Sequence, residues 1–331
     1  MKEITNFTVI VPIYNVENAL RRCLESIVNQ TFTDYECILI NDCSPDKSGV
    51  ICDEYAEKDN RFKIIHKPQN EGAGKARKSG YETAHGDFLV FVDGDDWLEL
   101  NALESLHKKF METNADIIRG GTKSVFKKKT IIYTPPSISK NESALEYYFL
   151  NDVKALWGCG FRKNLFDGCI FPTVKRGQDI MTSLQLFSKV DKSKIQVVDT
   201  PLYNYDVYIS GFQVFKRNKY DSFKDHSSGY CRLWMESYIR SINADEKVID
   251  AFNYDITSLG IFPYMKSNLS LKSKEIRELY KRYYLPCSYK KKLRWMERVC
   301  LLLLVKCFLF GKITIYFFNI GAGMVKKMTK I

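Results

Sequence analysis

The sequence predicts an α/β fold around a mostly parallel central sheet, on three observations. Short apolar runs alternate with helical patterns between residues 7 and 93, and each run ends in a polar cluster. A chain of 331 residues with 45% hydrophobic side chains also has enough apolar surface to bury such a sheet. The same numbers exclude a disordered or fibrous protein.

The apolar runs at 7–13, 35–40, 62–66 and 88–92 are rich in Val, Ile, Leu and aromatics, as expected of strands buried on both faces. Between them, 18–28, 48–58 and 75–84 read as helices. Leu20, Leu24 and Ile27 fall at helical spacing, and Asn18 is a candidate N-cap. A further helix is predicted over 101–113. Residues 117–205 mix short strands with one helix at 179–188, and helical segments follow at 220–241, 247–265 and 274–284. The predicted division is a principal α/β domain over 1–220, a helical appendage over 221–285 and a basic amphipathic tail over 286–331. Because ligands of open α/β sheets lie beyond the carboxyl ends of strands, Tyr14, Asn15, Asn41, Asp42, Asp93, Asp95 and Asp96 are expected on one rim.

The net charge of +11 sits at one end of the chain. From residue 281 onward the acidic Glu297 stands alone among many Lys and Arg, and the rest is balanced. A neutral body with a basic, apolar tail favours an anionic membrane surface as partner and argues against nucleic acid, which needs a basic groove on the body. The 10 cysteines form no CxxC pair, so free thiols in a reducing compartment are expected. No apolar stretch of signal-peptide length opens the chain, which places the body in the cytoplasm.

The strongest chemical signal is Asp93-Gly94-Asp95-Asp96-Trp97, directly after a buried strand. Crowded like charges repel and persist where a divalent cation neutralises them, so Asp93, Asp95 and Asp96 are candidate ligands of Mn²⁺ or Mg²⁺. The other reading is an acidic turn capping the helix from 101. Asp42, after the second strand, either accepts a hydrogen bond from a nucleobase or is an ordinary turn aspartate. Tyr14 either stacks on that base or covers the core as a rim aromatic. Near Gly74-Lys75 the sequence is not a phosphate-binding P-loop, since Gln69 and Ala76 occupy positions that need Gly and Ser or Thr. What remains is a loop and helix N-terminus presenting Lys75 and Arg77, suited to diphosphate or simply a solvated basic face. No GxGxxG follows the first strand, against a dinucleotide oxidoreductase.

In order, Val9-Ile10-Val11-Pro12-Ile13-Tyr14-Asn15, Ile40-Asn41-Asp42-Cys43-Ser44, Asn70-Glu71-Gly72 with Ala76-Arg77, Gly86-Asp87 and Asp93-Gly94-Asp95-Asp96-Trp97 resemble the motif series of family 2 glycosyltransferases with the GT-A fold, over roughly residues 5–210. The resemblance implies an inverting transferase that uses a nucleotide-diphosphate sugar, with uridine favoured. It implies donor-binding roles for Pro12, Tyr14, Asn15, Asp42, Lys75, Arg77, Asp93 and Gly94, with Tyr14 and Asp42 at the base. It implies metal roles for Asp93, Asp95 and Asp96, and makes Asp179 the catalytic base, where the alternative is an N-cap of the following helix. Gln178 stands where the family commonly has Glu. The implied acceptor is a saccharide or lipid-linked saccharide in surface polysaccharide or glycolipid assembly. Two other readings compete. A sugar nucleotidyltransferase needs a glycine-rich basic loop where this chain has Tyr14-Asn15-Val16-Glu17, and a membrane-attached binding protein would not need the full carboxylate set.

Residues 299–318 are apolar except for Lys306 and Lys312. At about 100° per residue these lysines, with Arg294 and Arg298, share one half of a helical wheel. That pattern predicts a helix lying in the membrane interface, on the cytoplasmic side, over a spanning segment or an oligomer contact.

Overall fold

The computed structural model describes residues 7–151, 154–174, 177–207, 226–256, 280–284, 286–289 and 293. The chain divides into two compact units, Met1–Lys216 and Arg217–Ile331.

The first unit is an α/β domain on a 9-stranded sheet. Its elements are β1 (Phe7–Ile13), α1 (Glu17–Val28), β2 (Tyr35–Asn41), α2 (Ser48–Lys58), β3 (Phe62–His66), α3 (Ala73–Thr83), β4 (Phe88–Phe91), β5 (Trp97–Leu98), α4 (Ala102–Thr113), β6 (Ile117–Phe126), β7 (Lys129–Tyr133), α5 (Ala144–Leu150), β8 (Cys159–Arg162), α6 (Gln178–Ser188) and β9 (Ile195–Asp206). Strand order is β3-β2-β1-β4-β8-β6-β9-β5, with β7 paired to β6. The half containing β3, β2, β1 and β4 is parallel, as the alternating pattern predicts. Beyond β4 the sheet is mixed: β8 runs antiparallel to β4 and β6, while β9 runs parallel to β6.

Every residue of β2, and all but Pro12 of β1, is buried, which is why these strands read as continuous apolar runs rather than alternating ones. Leu20, Cys23, Leu24 and Ile27 of α1 pack on the same core as Val9, Val11 and Leu39. β1 and β2 pair without a shift from Phe7↔Tyr35 to Ile13↔Asn41, and β3 ends with His66 opposite Asn41. β1, β2 and β3 therefore end level, while β4 ends earlier, at Phe91 opposite Ile10. The chain after β4 follows β1, with the Val92 amide on the Ile10 carbonyl, so the polar residues after β1, β2 and β4 lie toward the same rim.

Helix starts depart from the sequence reading. Asn18 lies inside α1, whose N-cap is Val16 without a side-chain cap. The free amides are instead satisfied by the loop after β2: Val16 N–H donates to Ser48 Oγ (3.1 Å) and Glu17 N–H to Asp46 Oδ2 (2.9 Å), and Glu17 accepts Lys47 N–H in return (2.8 Å). The short helix α5, closed by a Ser143–Glu146 capping box, lay unmarked in the sequence reading.

The second unit contains α7 (His226–Ser241) and α8 (Glu246–Asp255). Within it, Glu236 accepts from Arg282 (2.7 Å) and Tyr283 (3.0 Å). The predicted helical continuations and the 299–318 segment lie largely outside the described residues. Among the described residues no helix is long and apolar enough to cross a membrane.

Candidate active site

The turn after β4 holds the carboxylates, and each has a different environment. Asp93 is part-exposed and accepts Arg77 Nη2 at 2.7 Å. Gly94 is buried against the end of β1, where a Cβ would come within 3.1 Å of Val16 Cγ2 and 3.5 Å of the Pro12 carbonyl. Asp95 is part-buried and no side chain among the described residues ion-pairs with it. Burial and then Asp93 push its carboxyl up to about 6, against the opposing pull of Arg22. Asp96 is 0% exposed. Its Oδ2 accepts the Tyr203 hydroxyl and its Oδ1 the Asp206 amide, both at 2.7 Å. Asp96 thus fastens the turn to β9, which removes it from the predicted metal ligands reachable from the cleft. None of these carboxylates caps α4, whose N-cap is Asn101.

Arg77 lies on the buried face of α3, its side chain 6% exposed. Burial pulls its pKa down, but the fields of Asp93 and Asp179 outweigh that and hold the guanidinium above its ordinary value. Nε and Nη1 are buried and lack partners among the described residues. Arg77 is therefore an internal counter-ion with two spare donors, not a solvated basic face. Lys75 is different: two residues away it faces outward, about 200° round the helix, half-exposed and paired with Glu71 at 3.0 Å. The two cations therefore stand in different environments, Lys75 at the surface beside Glu71 and Arg77 buried on Asp93.

Asp179 occupies the first turn of α6, and the N-cap is Gly177 at φ 81°, so the capping alternative does not hold. Burial raises its carboxyl above the usual range, Arg77 opposes this and Asp93 adds to it. The approach of α6 to α3 depends on Gly74, where a Cβ would stand 2.0 Å from the Pro172 carbonyl and 3.5 Å from Gln178 Cβ. Gln178 Oε1 is buried and has no partner among the described residues.

On the β1–β2 side, Tyr14 is 48% exposed at the rim and Asn15 takes a left-handed φ of 55°, its amide donating to Ser44 Oγ at 3.3 Å. Asp42 is buried, and its two oxygens accept the Glu71 and Gly72 amides at 3.0 and 2.7 Å. It holds the 71–72 loop in place, and a base approaching it would have to use the remaining lone pairs.

Sequence reasoning missed Arg22, Tyr203 and Asp206. Arg22 lies 3.9 Å over the Trp97 ring and donates to the Asp95 carbonyl (2.9 Å) and Asp206 Oδ2 (2.7 Å). Tyr203 also accepts the Asp93 amide at 3.2 Å. The available signal was the polar end Tyr203-Asn204-Tyr205-Asp206, which obeys the same strand-end rule as β1, β2 and β4. Among the described residues no three His, Cys, Asp or Glu side chains form a metal cage. Asp93 and Asp95 instead fit a hard cation that completes its shell with water and phosphate oxygens.

Residues 8–167 match the family model Glycosyl transferase family 2. This domain belongs to glycosyl transferase family 2. Its relatives include Glycosyltransferase GlyA of Streptococcus pneumoniae serotype 4, 31% identical over 78% of this chain and 35% of that protein. A poly(ribitol-phosphate) beta-glucosyltransferase of Bacillus spizizenii is 28% identical over 61% of this chain and 31% of that protein. The chain thus spans about a third of the length of either relative. The family 2 fold is matched by the crystal structure of S. aureus TarS 1-349 in complex with UDP-GlcNAc, with a TM-score of 0.55 and 19% identity over 88% of this chain and 93% of that one. That likeness establishes a GT-A-like fold.

Proposed function

We propose that this family 2 domain is an inverting, metal-dependent glycosyltransferase. It moves a sugar from a uridine-diphosphate donor to a hydroxyl of a saccharide or lipid-linked saccharide, in cell-surface polysaccharide or teichoic acid assembly at the cytoplasmic face of the membrane. The observation that carries this reading is Arg77, which donates to Asp93 after β4 at 2.7 Å and whose charge is felt by Asp179 at the start of α6. A purely structural ion pair would not leave Nε and Nη1 buried without partners among the described residues; an ordered water between Arg77 and a diphosphate oxygen would satisfy them. Tyr14 and the loop held by Asp42 form the wall for the base. The poly(ribitol-phosphate) relative supports a role in cell-surface polymer assembly, and the UDP-GlcNAc bound to TarS supports a uridine-diphosphate donor.

Asp179 takes the proton of the acceptor hydroxyl, whose oxygen attacks the anomeric carbon as the bond to the diphosphate breaks. Attack opposite the leaving group inverts that carbon. Arg77 offsets charge gathering on the departing diphosphate. Asp93 and Asp95 would hold Mn²⁺ or Mg²⁺, which supplies further charge neutralisation to the same leaving group.

The reading is tested by following nucleoside diphosphate release from a panel of nucleotide sugars without acceptor. Slow, metal-dependent hydrolysis of a UDP-sugar, abolished by EDTA and restored by Mn²⁺, is expected. Undiminished release in metal-free buffer would remove the metal from the mechanism, and release of pyrophosphate from a nucleoside triphosphate would identify a nucleotidyltransferase.

A further inference from the structure

The β6–β7 hairpin carries side chains that the site leaves unused. Its strands pair from Thr122↔Tyr133 to Phe126↔Lys129, so Lys127 and Lys128 form the turn. Residues 127–132 are all exposed, with Ile131 at 46% and Ile132 at 60%. Among the described residues β7 bonds only to β6. Ile131 lies opposite Ser124 and Ile132 opposite Lys123, and strand alternation sends the two isoleucines to opposite faces, so both faces of β7 carry an exposed isoleucine. Lys129 stands 5.3 Å from the Phe126 ring centroid, and no acid among the described residues pairs with Lys128 or Lys129.

The hairpin also has a defined place. Val125 pairs with Asp206, and the Val207 amide donates to the Val125 carbonyl at 3.0 Å. Asp206 in turn bonds Asp96 in the carboxylate turn. The lysine tip therefore stands just beyond the strand ends that frame the candidate cleft.

We infer that this hairpin is a docking surface for an anionic lipid bilayer, with Lys128 and Lys129 meeting headgroups and Ile131 and Ile132 entering the interfacial layer. A soluble polyanion would satisfy the lysines and leave the isoleucines in water. A second copy paired along β7 would cover apolar surface but bring two lysine clusters into one interface. A surface both anionic and apolar serves both sets of side chains. The inference is independent of the transferase chemistry, and it sets the mouth of the cleft against the layer in which a lipid-held acceptor lies.

The test is co-sedimentation of the full chain with phosphatidylglycerol-containing vesicles and with neutral phosphatidylcholine vesicles. The C-terminal tail is common to all variants, so ratios between them report the hairpin. Replacing Lys128 and Lys129 together by Gln should lower the partition coefficient on anionic vesicles by roughly twenty-five-fold, about fivefold per lysine, with no change on neutral ones. Ile131→Ser with Ile132→Ser should also weaken binding and leave a remainder that salt abolishes. Matched thermal midpoints establish that the variants are folded. A loss under tenfold in the lysine variant, or a wild-type chain that ignores anionic vesicles, overturns the inference. So does a wild-type dimer in sedimentation velocity that the isoleucine variant dissolves, since the occupant would then be a second copy.

Discussion

Arg77 pairs with Asp93 and its charge is felt by Asp179, from a distant part of the chain, and the charge state of the cleft follows from it. Asp179→Asn removes the proton acceptor while keeping the shape of α6. Transfer should fall by about 10²- to 10⁴-fold, and donor affinity, read by titration calorimetry with a non-hydrolysable UDP-sugar, should stay close to wild type. Asp95 yields a second prediction with the opposite sign for stability. Its carboxyl rises from 3.8 to about 6 in the folded state, so the native form holds an extra proton between those values. Stability contributed by this residue is lost as pH climbs from about 4 to 6. Asp95→Asn should therefore stabilise the metal-free protein at pH 7 by on the order of 2 kcal/mol, an advantage that fades near pH 4, while abolishing metal-dependent donor hydrolysis. Thermal melts at both pH values in EDTA check the first part. A wild-type melt unaffected by the substitution would contradict the environment described for Asp95.

At the scale of elements, the site depends on how closely α3 and α6 approach. Gly74 permits that approach because any Cβ there collides with the Pro172 carbonyl. Gly74→Ala should cost about 1–3 kcal/mol in stability and reduce donor hydrolysis more than that loss explains, because Asp179 moves relative to Arg77. Denaturant unfolding alongside kinetics separates the two effects; unchanged turnover would mean that the helix spacing does not set the geometry. β9 acts as the second brace. Tyr203 and the Asp206 amide satisfy both oxygens of Asp96, and this lets a fully buried carboxylate lie beside two others. Asp96 is thus part of the frame that ties the turn carrying Asp93 and Asp95 to β9.

Across the whole molecule, the transferase reading places donor chemistry in the first unit and shares membrane attachment between the β6–β7 hairpin and the basic tail. A chain ending at residue 285 should bind membranes more weakly at physiological salt while retaining donor hydrolysis, as fractionation and nucleotide release would show. Undiminished membrane residence of that truncation would shift attachment away from the tail. Loss of both properties would mean that the tail is needed for folding.

The parallel half of the sheet and its three helices were legible in the sequence because burial on both faces forces continuous apolar strands, and helical periodicity is local. The rim was legible for a related reason: polar residues follow β1, β2 and β4 directly, and these strands lead toward one rim that carries Tyr14, Asp42 and Asp93. What each of these residues touches was decided only in three dimensions. Asn18 was passed over as a cap because Asp46 and Ser48, from another loop, reached the free amides first. Asp93, Asp95 and Asp96 look alike in one dimension, yet β9, more than a hundred residues later, consumes Asp96 and leaves Asp95 with no ion-pair partner among the described side chains. Lys75 and Arg77 look interchangeable as cations until the helix turns one outward and buries the other against Asp93. Sequence fixes which groups are available and where strands end; hydrogen bonds and charge pairs between distant segments settle which of those groups stay free for chemistry.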